Sequence, residues 1–188
     1  MGWVFAAKTL AVSAYRMRQK HTLLLLACLA PPVCASEPAV NQPVGHFRIA
    51  TLSGHNITPD SHPGRILVVN LWATWCVPCL KEMPEIEMFY KKYRARGVDV
   101  VGVSLDDRSE LAAVRQMMSA YSFPAALAVD SDLGSFGTLR HVPATFVIDR
   151  QGVLKRNGWL QPASIDFAAL ESLLLPLLAS QPKPRTGD

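Results

Sequence analysis

With 188 residues, 49% of them apolar and 18% charged, the chain has the material for one ordinary domain with extensions, and global disorder is excluded. Its formal charge of +4 is concentrated at one end: Lys8, Arg16, Arg18 and Lys20 are the only charges before Ser36, and the remaining 15 basic residues face 15 acidic ones. A neutral domain carries no electrostatic footprint for nucleic acid, so no nucleic-acid partner is expected.

The first element is a leader. Arg16-Met17-Arg18-Gln19-Lys20-His21 precedes an apolar run over 22–30, and Pro31-Pro32-Val33-Cys34-Ala35 follows. A basic stretch, a short apolar segment and a small-residue exit form the pattern of an export signal, here cut after Ala35. The apolar run is short of the ~20 residues that span a bilayer. Two other readings stay open: retention as an N-terminal membrane anchor, and a lipid attached at Cys28 in Leu25-Leu26-Ala27-Cys28. Residues 1–35 are therefore expected as signal peptide or anchor, and the domain in a periplasmic or other extracytoplasmic compartment.

Residues 36–45 are polar and Pro-containing, which reads as a linker. Phe47-Arg48-Ile49-Ala50-Thr51-Leu52 alternates as a strand and turns at Ser53-Gly54-His55-Asn56 into a short return at Ile57. Residues 65–72 are almost continuously apolar and β-branched, as befits a strand covered on both faces. A helix is expected from about Val77 to Arg96, kinked at Pro84 and stopped by Gly97. Residues 98–104 form the next central strand. Asp106-Asp107-Arg108-Ser109 leads into a helix with Leu111, Val114, Met117, Met118 and Tyr121 on one face. A strand over 126–129, a weak helix or loop over 131–140, and a strand over 144–149 follow. The last of these turns at Arg150-Gln151-Gly152 into a hairpin partner. Ser164 is the expected cap of a closing helix through Leu178, and 181–188 reads as a disordered tail. The folded domain is thus placed at 46–180.

Chemistry concentrates in Trp75-Cys76-Val77-Pro78-Cys79. Of four cysteines, Cys28 and Cys34 fall in the leader, which leaves one close pair in an exported domain. A bridge over two intervening residues removes little entropy from the unfolded chain, so the pair serves reactivity rather than stability. An apolar strand running into a C-x-x-C that opens a helix is the arrangement for thiol–disulfide exchange. The free N–H groups and positive dipole end of the helix favour thiolate over thiol. Cys76, at the helix mouth beside Trp75 on an exposed corner, is expected to attack; Cys79, one turn in and more buried, is expected to resolve. A structural zinc site needs two further ligands, and no second cysteine pair is present. The expectation is therefore no metal and no cofactor beyond the redox-active pair. Glu82 follows Cys79 by three residues and can share its helix face. It either accepts the Cys79 proton or is a solvated helix glutamate, as Glu85 and Glu87 are expected to be. His46, His55 and His62 receive no role, and Trp72 is assigned to the core.

The run Asn70-Leu71-Trp72-Ala73-Thr74-Trp75-Cys76-Val77-Pro78-Cys79, with Glu82 and Pro84 beyond it and Val142-Pro143-Ala144-Thr145-Phe146-Val147-Ile148-Asp149 further on, resembles the thioredoxin fold. More narrowly it resembles the TlpA-like/ResA-like exported thiol–disulfide oxidoreductases, over about 44–178. The resemblance implies an α/β fold of thioredoxin-like type: a central mixed β-sheet flanked by helices, an N-terminal β-hairpin and an inserted strand–helix. It implies a cis Pro143, with the Val142 backbone, Pro143 and Trp75 meeting an extended substrate. It also implies that Glu82 takes over the buried-acid role that plain thioredoxins give to an Asp where this chain has Asn70. The family often has glycine where this chain has His141, which raises the option that His141 faces the cysteines.

The expected function is an exported protein-disulfide reductase, monomeric, kept reduced by a membrane electron donor and acting on disulfide-containing proteins of cytochrome c maturation or copper-site assembly. An oxidase runs the same chemistry backwards. A copper-binding metallochaperone using Cys76, Cys79 and His141 is the alternative from a different class. A peroxidase needs a lone peroxidatic cysteine in another loop setting, which the chain does not offer.

Overall fold

A computed structural model describes residues 38–160 and 164–180 of the chain. The leader, its cut site, Cys28 and the tail over 181–188 lie outside the described residues. Ten regular elements follow one another: β1 (Ile49–Ala50), β2 (Asn56–Ile57), β3 (Ile66–Trp72), α1 (Val77–Tyr93), β4 (Val98–Ser104), α2 (Leu111–Met118), β5 (Ala125–Leu127), β6 (Ala144–Ile148), β7 (Leu154–Arg156) and α3 (Phe167–Ala179). β1 and β2 form a small antiparallel hairpin, and the other five strands form one mixed sheet in the order β5-β4-β3-β6-β7. β3 pairs parallel with β4 and antiparallel with β6.

β3 is the middle strand, and all seven of its residues are buried. Strand alternation sends them to two different cores. Ile66, Val68 and Trp72 pack with Met83, Ile86 and Phe89 of α1, Val114 of α2, and Leu170 and Leu174 of α3. Leu67, Val69 and Leu71 pack on the other side with Phe47, Ile49, Ile57, Phe136 and Phe146. A continuous apolar run is required because both faces are covered. Asn70 has the same parity as Val68 and Trp72, so the sheet presents an amide toward the helical layer.

Several local expectations hold and several shift. α1 runs through Pro84, tightens into a 3-10 turn at Arg94–Arg96 and stops at Gly97, whose φ of 88° is the left-handed conformation that suits glycine. α2 and β5 form the inserted helix and strand, with β5 parallel to β4. The strand expected over 47–52 is regular only at Ile49–Ala50, because its pairing changes partner. Arg48 bridges Asp132, the β1 residues pair with β2, and Thr51 bridges Ala126. The cap of α3 is Asp166, whose side chain accepts from Ala169 N–H, and not Ser164, which lies too early in the chain.

The described part of the expected linker is not free chain. Asn41 N–H donates to Leu154 O at 2.7 Å, Leu154 N–H donates to Gln42 O at 2.9 Å, and Val44 N–H donates to Gly152 O at 2.9 Å. This segment covers the outer edge of β7, an edge that otherwise presents unpaired backbone groups. Polar residues and Pro43 disguised it, since an edge segment tolerates both. Among the described residues no helix is long and apolar enough to cross a membrane.

Candidate active site

β3 ends at Trp72, the chain turns over 73–75, and Cys76 becomes the N-cap of α1. Its backbone is extended at φ −86° and ψ 93°, and its Sγ accepts from Cys79 N–H at 3.2 Å. An orphan donor of the helix mouth is thereby aimed at the sulfur on which negative charge develops when the bridge opens. Cys76 and Cys79 are joined as a disulfide. Flanking residues are open, with Trp75 68% and Val77 62% exposed. Cys76 itself is only 4% exposed, so the exposed corner expected for it belongs to its neighbours; Cys79 is fully buried. Of the two residues, only Cys76 reaches the surface.

The turn before Cys76 is tied down by a residue that the sequence did not flag. Asp106, just past β4, accepts from Thr74 N–H at 2.8 Å and from Thr74 Oγ1 at 2.7 Å. Ser104 Oγ also donates to it, at 2.5 Å. Asp106 is 4% exposed, so a buried carboxylate is satisfied by three donors. Its only sequence signal was position: it follows the C-terminal end of a central strand, where α/β sheets place their sites.

Glu82 is 4% exposed and is not a solvated helix glutamate. Its Oε1 accepts from Asn70 Nδ2 at 2.6 Å, and its Oε2 accepts from Ile165 N–H at 3.0 Å. Burial outweighs the lowering effect of the Ile165 and Asn70 hydrogen bonds and of the Arg156 charge, and the pKa is pushed up to about 6. It lies one helical turn from Cys79 on the same helix, with the buried side chains of Cys79, Met83 and Ile86 around that face. Glu87 also departs from expectation: it is buried, accepts from Ser122 N–H at 2.9 Å and pairs with Lys91 at 2.9 Å. Burial pushes its pKa up, but these hydrogen bonds outweigh it and leave the carboxyl below its ordinary value.

The Val142–Pro143 peptide bond is cis. Leu71 pairs with Ala144, so Pro143 falls level with Trp72 at the end of the sheet from which the Cys76 turn departs. Val142 is half-buried and packs against both cores. β6 is approached closely by Gly158, where an added Cβ would lie 2.7 Å from Thr145 N. His141 is exposed and stacks edge-on against Trp159 with ring centroids 5.3 Å apart. Among the described residues no three His, Cys, Asp or Glu side chains are placed to hold a metal ion.

The chain is similar to known proteins. The ResA thiol-disulfide oxidoreductase of Bacillus thuringiensis strain Al Hakam is 31% identical over 110 residues, covering 57% of this chain and 62% of that relative. This chain thus matches less than two thirds of that protein's length. The ResA of Geobacillus thermodenitrificans strain NG80-2 is 29% identical over 147 residues, or 74% of this chain and 84% of the relative. Among solved structures, a thiol:disulfide interchange protein of the thioredoxin family from Chlorobium tepidum TLS superimposes with a TM-score of 0.63 at 26% identity, covering 75% of this chain and 99% of that one. The fold is thioredoxin-like, as expected. The AhpC/TSA family matches residues 40–157, a span that takes in the edge segment against β7, the Cys76–Cys79 helix start and the cis-Pro143 strand. On that match, which covers well over half of its length, the chain belongs to the AhpC/TSA family.

Proposed function

We propose that the protein is a thiol–disulfide oxidoreductase that passes electrons to partner proteins by cycling Cys76 and Cys79 between dithiol and disulfide. The observation that carries this reading is the bridged pair at the mouth of α1, with Cys79 N–H directed at Cys76 Sγ. In the reducing direction the Cys76 thiolate attacks one sulfur of a substrate disulfide, the substrate S–S bond breaks with its other sulfur leaving as thiolate, and a mixed disulfide forms. Cys79 then loses its proton and its sulfur attacks Cys76 Sγ. The substrate sulfur leaves as thiolate, and the enzyme keeps the new Cys76–Cys79 bond.

Glu82 is the group proposed to take the Cys79 proton, supported by its burial, its place one turn along the helix and a pKa of about 6. Trp75 and the Val142-Pro143 backbone are proposed to hold the substrate as an extended strand, which gives affinity with little side-chain demand. The reductive direction is supported by Val77-Pro78 between the cysteines and by the acidic Glu82. Its natural targets are cysteine pairs of exported proteins, in cytochrome c maturation or copper-site assembly. The setting is an extracytoplasmic monomer, delivered by the leader at 1–35 and recharged by a membrane electron donor.

The test is capture with Cys79→Ser. That variant should stall as a mixed disulfide through Cys76 with its partner, and addition of a small thiol should release the partner. If Cys79→Ser and wild type accumulate no mixed disulfide with any reduced or oxidised partner, and the purified domain fails to cycle with glutathione, the proposal is wrong. The midpoint potential against glutathione then fixes the direction.

A further inference from the structure

Arg156 is a buried cation that the reaction above does not use. It lies on β7, paired with Val147 of β6, and is only 4% exposed. Its Nη1 donates to Thr145 O at 2.5 Å. Thr145 Oγ1 in turn accepts from Asn70 Nδ2 at 3.0 Å, the same nitrogen that donates to Glu82 Oε1. A guanidinium and a carboxylate of opposite charge are thus held in one buried polar cluster, bridged by Thr145 and Asn70. Each also biases the other electrostatically.

The groups around Glu82 differ in kind. α1 contributes Lys81, Glu85 and the resolving Cys79, and α3 contributes Asp166. Lys81, Glu85 and Asp166 line the open groove beside Glu82, where water screens them. β3 and β6 contribute the neutral Asn70 and Thr145. Arg156, 4% exposed, lies at the edge of a neighbouring groove with Ser164, Ile165 and Asp166, and its buried charge is screened less than the charges of the exposed Lys81 and Asp166. A guanidinium cannot be deprotonated in a protein, so its charge is constant across the working pH range. A glutamate buried without such a partner keeps its proton, and an already protonated acid cannot accept one from Cys79.

We propose that Arg156 is a positioning residue for proton transfer: its fixed charge, anchored on Thr145, keeps the buried Glu82 ionised and ready to take the Cys79 proton as the mixed disulfide resolves. This rests on the redox reading of the cysteine pair. In the step it serves, the Cys79 S–H bond breaks and the proton goes to a Glu82 carboxylate oxygen. The sulfur's electron pair forms the bond to Cys76 Sγ, and the substrate sulfur leaves as thiolate.

The experiment follows the Glu82 carboxyl carbon by NMR titration in the oxidised full chain, alongside the pH profile of mixed-disulfide resolution. Arg156→Gln should tighten proton binding at Glu82 on the order of tenfold, and Arg156→Lys should stay near wild type. The resolution profile should move in the same direction in the wild-type background and should not move in a Glu82→Gln background. A purely structural Arg156 would leave the midpoint unchanged in every variant that folds, and that result overturns the proposal. So does an equal shift of the profile when Glu82 is already Gln. Where Arg156→Gln fails to fold, Arg156→Met, which keeps the packing of the aliphatic stem, carries the same test. A midpoint that moves while resolution does not overturns the proton-transfer role alone; the Cys76–Cys79 reading falls only if Cys79→Ser captures nothing.

Discussion

Asn70 Nδ2 stands 2.6 Å from Glu82 Oε1, a contact from the middle of β3 to the second turn of α1. Two buried groups that share one hydrogen bond respond strongly to a change of charge. In Asn70→Asp a second carboxylate meets the first at that spacing, and both cannot ionise together. The pair should retain one proton through neutral pH. The folded variant then binds that proton more tightly than its unfolded chain does, so its stability falls as pH rises. We expect a loss of about 2–3 kcal/mol at pH 8 relative to pH 5.5 beyond any change in wild type, read from urea unfolding at the two values.

Glu82 alone produces a smaller effect of the same sign. Its folded pKa of about 6 lies above the ordinary 4.5. The folded state therefore holds the proton more tightly, and stability declines as pH rises through that window. The decline attributable to Glu82 is ~2 kcal/mol, fully present above the folded value and absent below the ordinary one. Subtracting the unfolding curve of Glu82→Gln from that of wild type should isolate it. The same substitution should slow mixed-disulfide resolution by roughly 100-fold at neutral pH, the usual scale of a positioned proton acceptor. An unchanged resolution rate would remove Glu82 from the reaction.

Asp106 holds the turn that delivers Cys76. Asp106→Ala removes the acceptor for Thr74 N–H, Thr74 Oγ1 and Ser104 Oγ in a buried setting. The cost should be about 2–4 kcal/mol. Asp106→Asn, which presents one oxygen in place of two, should fall between. Chemical denaturation of the three proteins in the oxidised form would check the order.

Gly158 and Gly102 make a matched pair. At Gly158 a Cβ would meet backbone, at 2.7 Å from Thr145 N and 3.0 Å from Ala144 C. At Gly102 it would meet only side chains, Phe123 and Trp72, at 3.2 Å. Side chains can yield and a paired strand cannot. Gly158→Ala should therefore lose about 1–3 kcal/mol, and Gly102→Ala less. Melting temperatures of the two variants decide, and equal losses would mean that β6 moves freely.

The sequence alone was enough for whatever depends on neighbours along the chain. The apolar continuity of 65–72 announced a strand covered on both sides, the spacing of Leu111, Val114 and Met118 announced a helix, and the C-x-x-C after a strand announced a reactive helix start. Only folding decided which polar residues meet. Asn70 reaches Glu82 across 12 positions and Thr145 across 75, Ile165 reaches Glu82 across 83, and Thr74 reaches Asp106 across 32. Such contacts leave no period in the sequence, because a hydrogen bond joins two side chains without constraining what lies between them. For the same reason Glu87 could not be told from a surface glutamate until Ser122 was seen to bind it, and the strap over 41–44 could not be told from a linker until β7 was seen to need an edge partner.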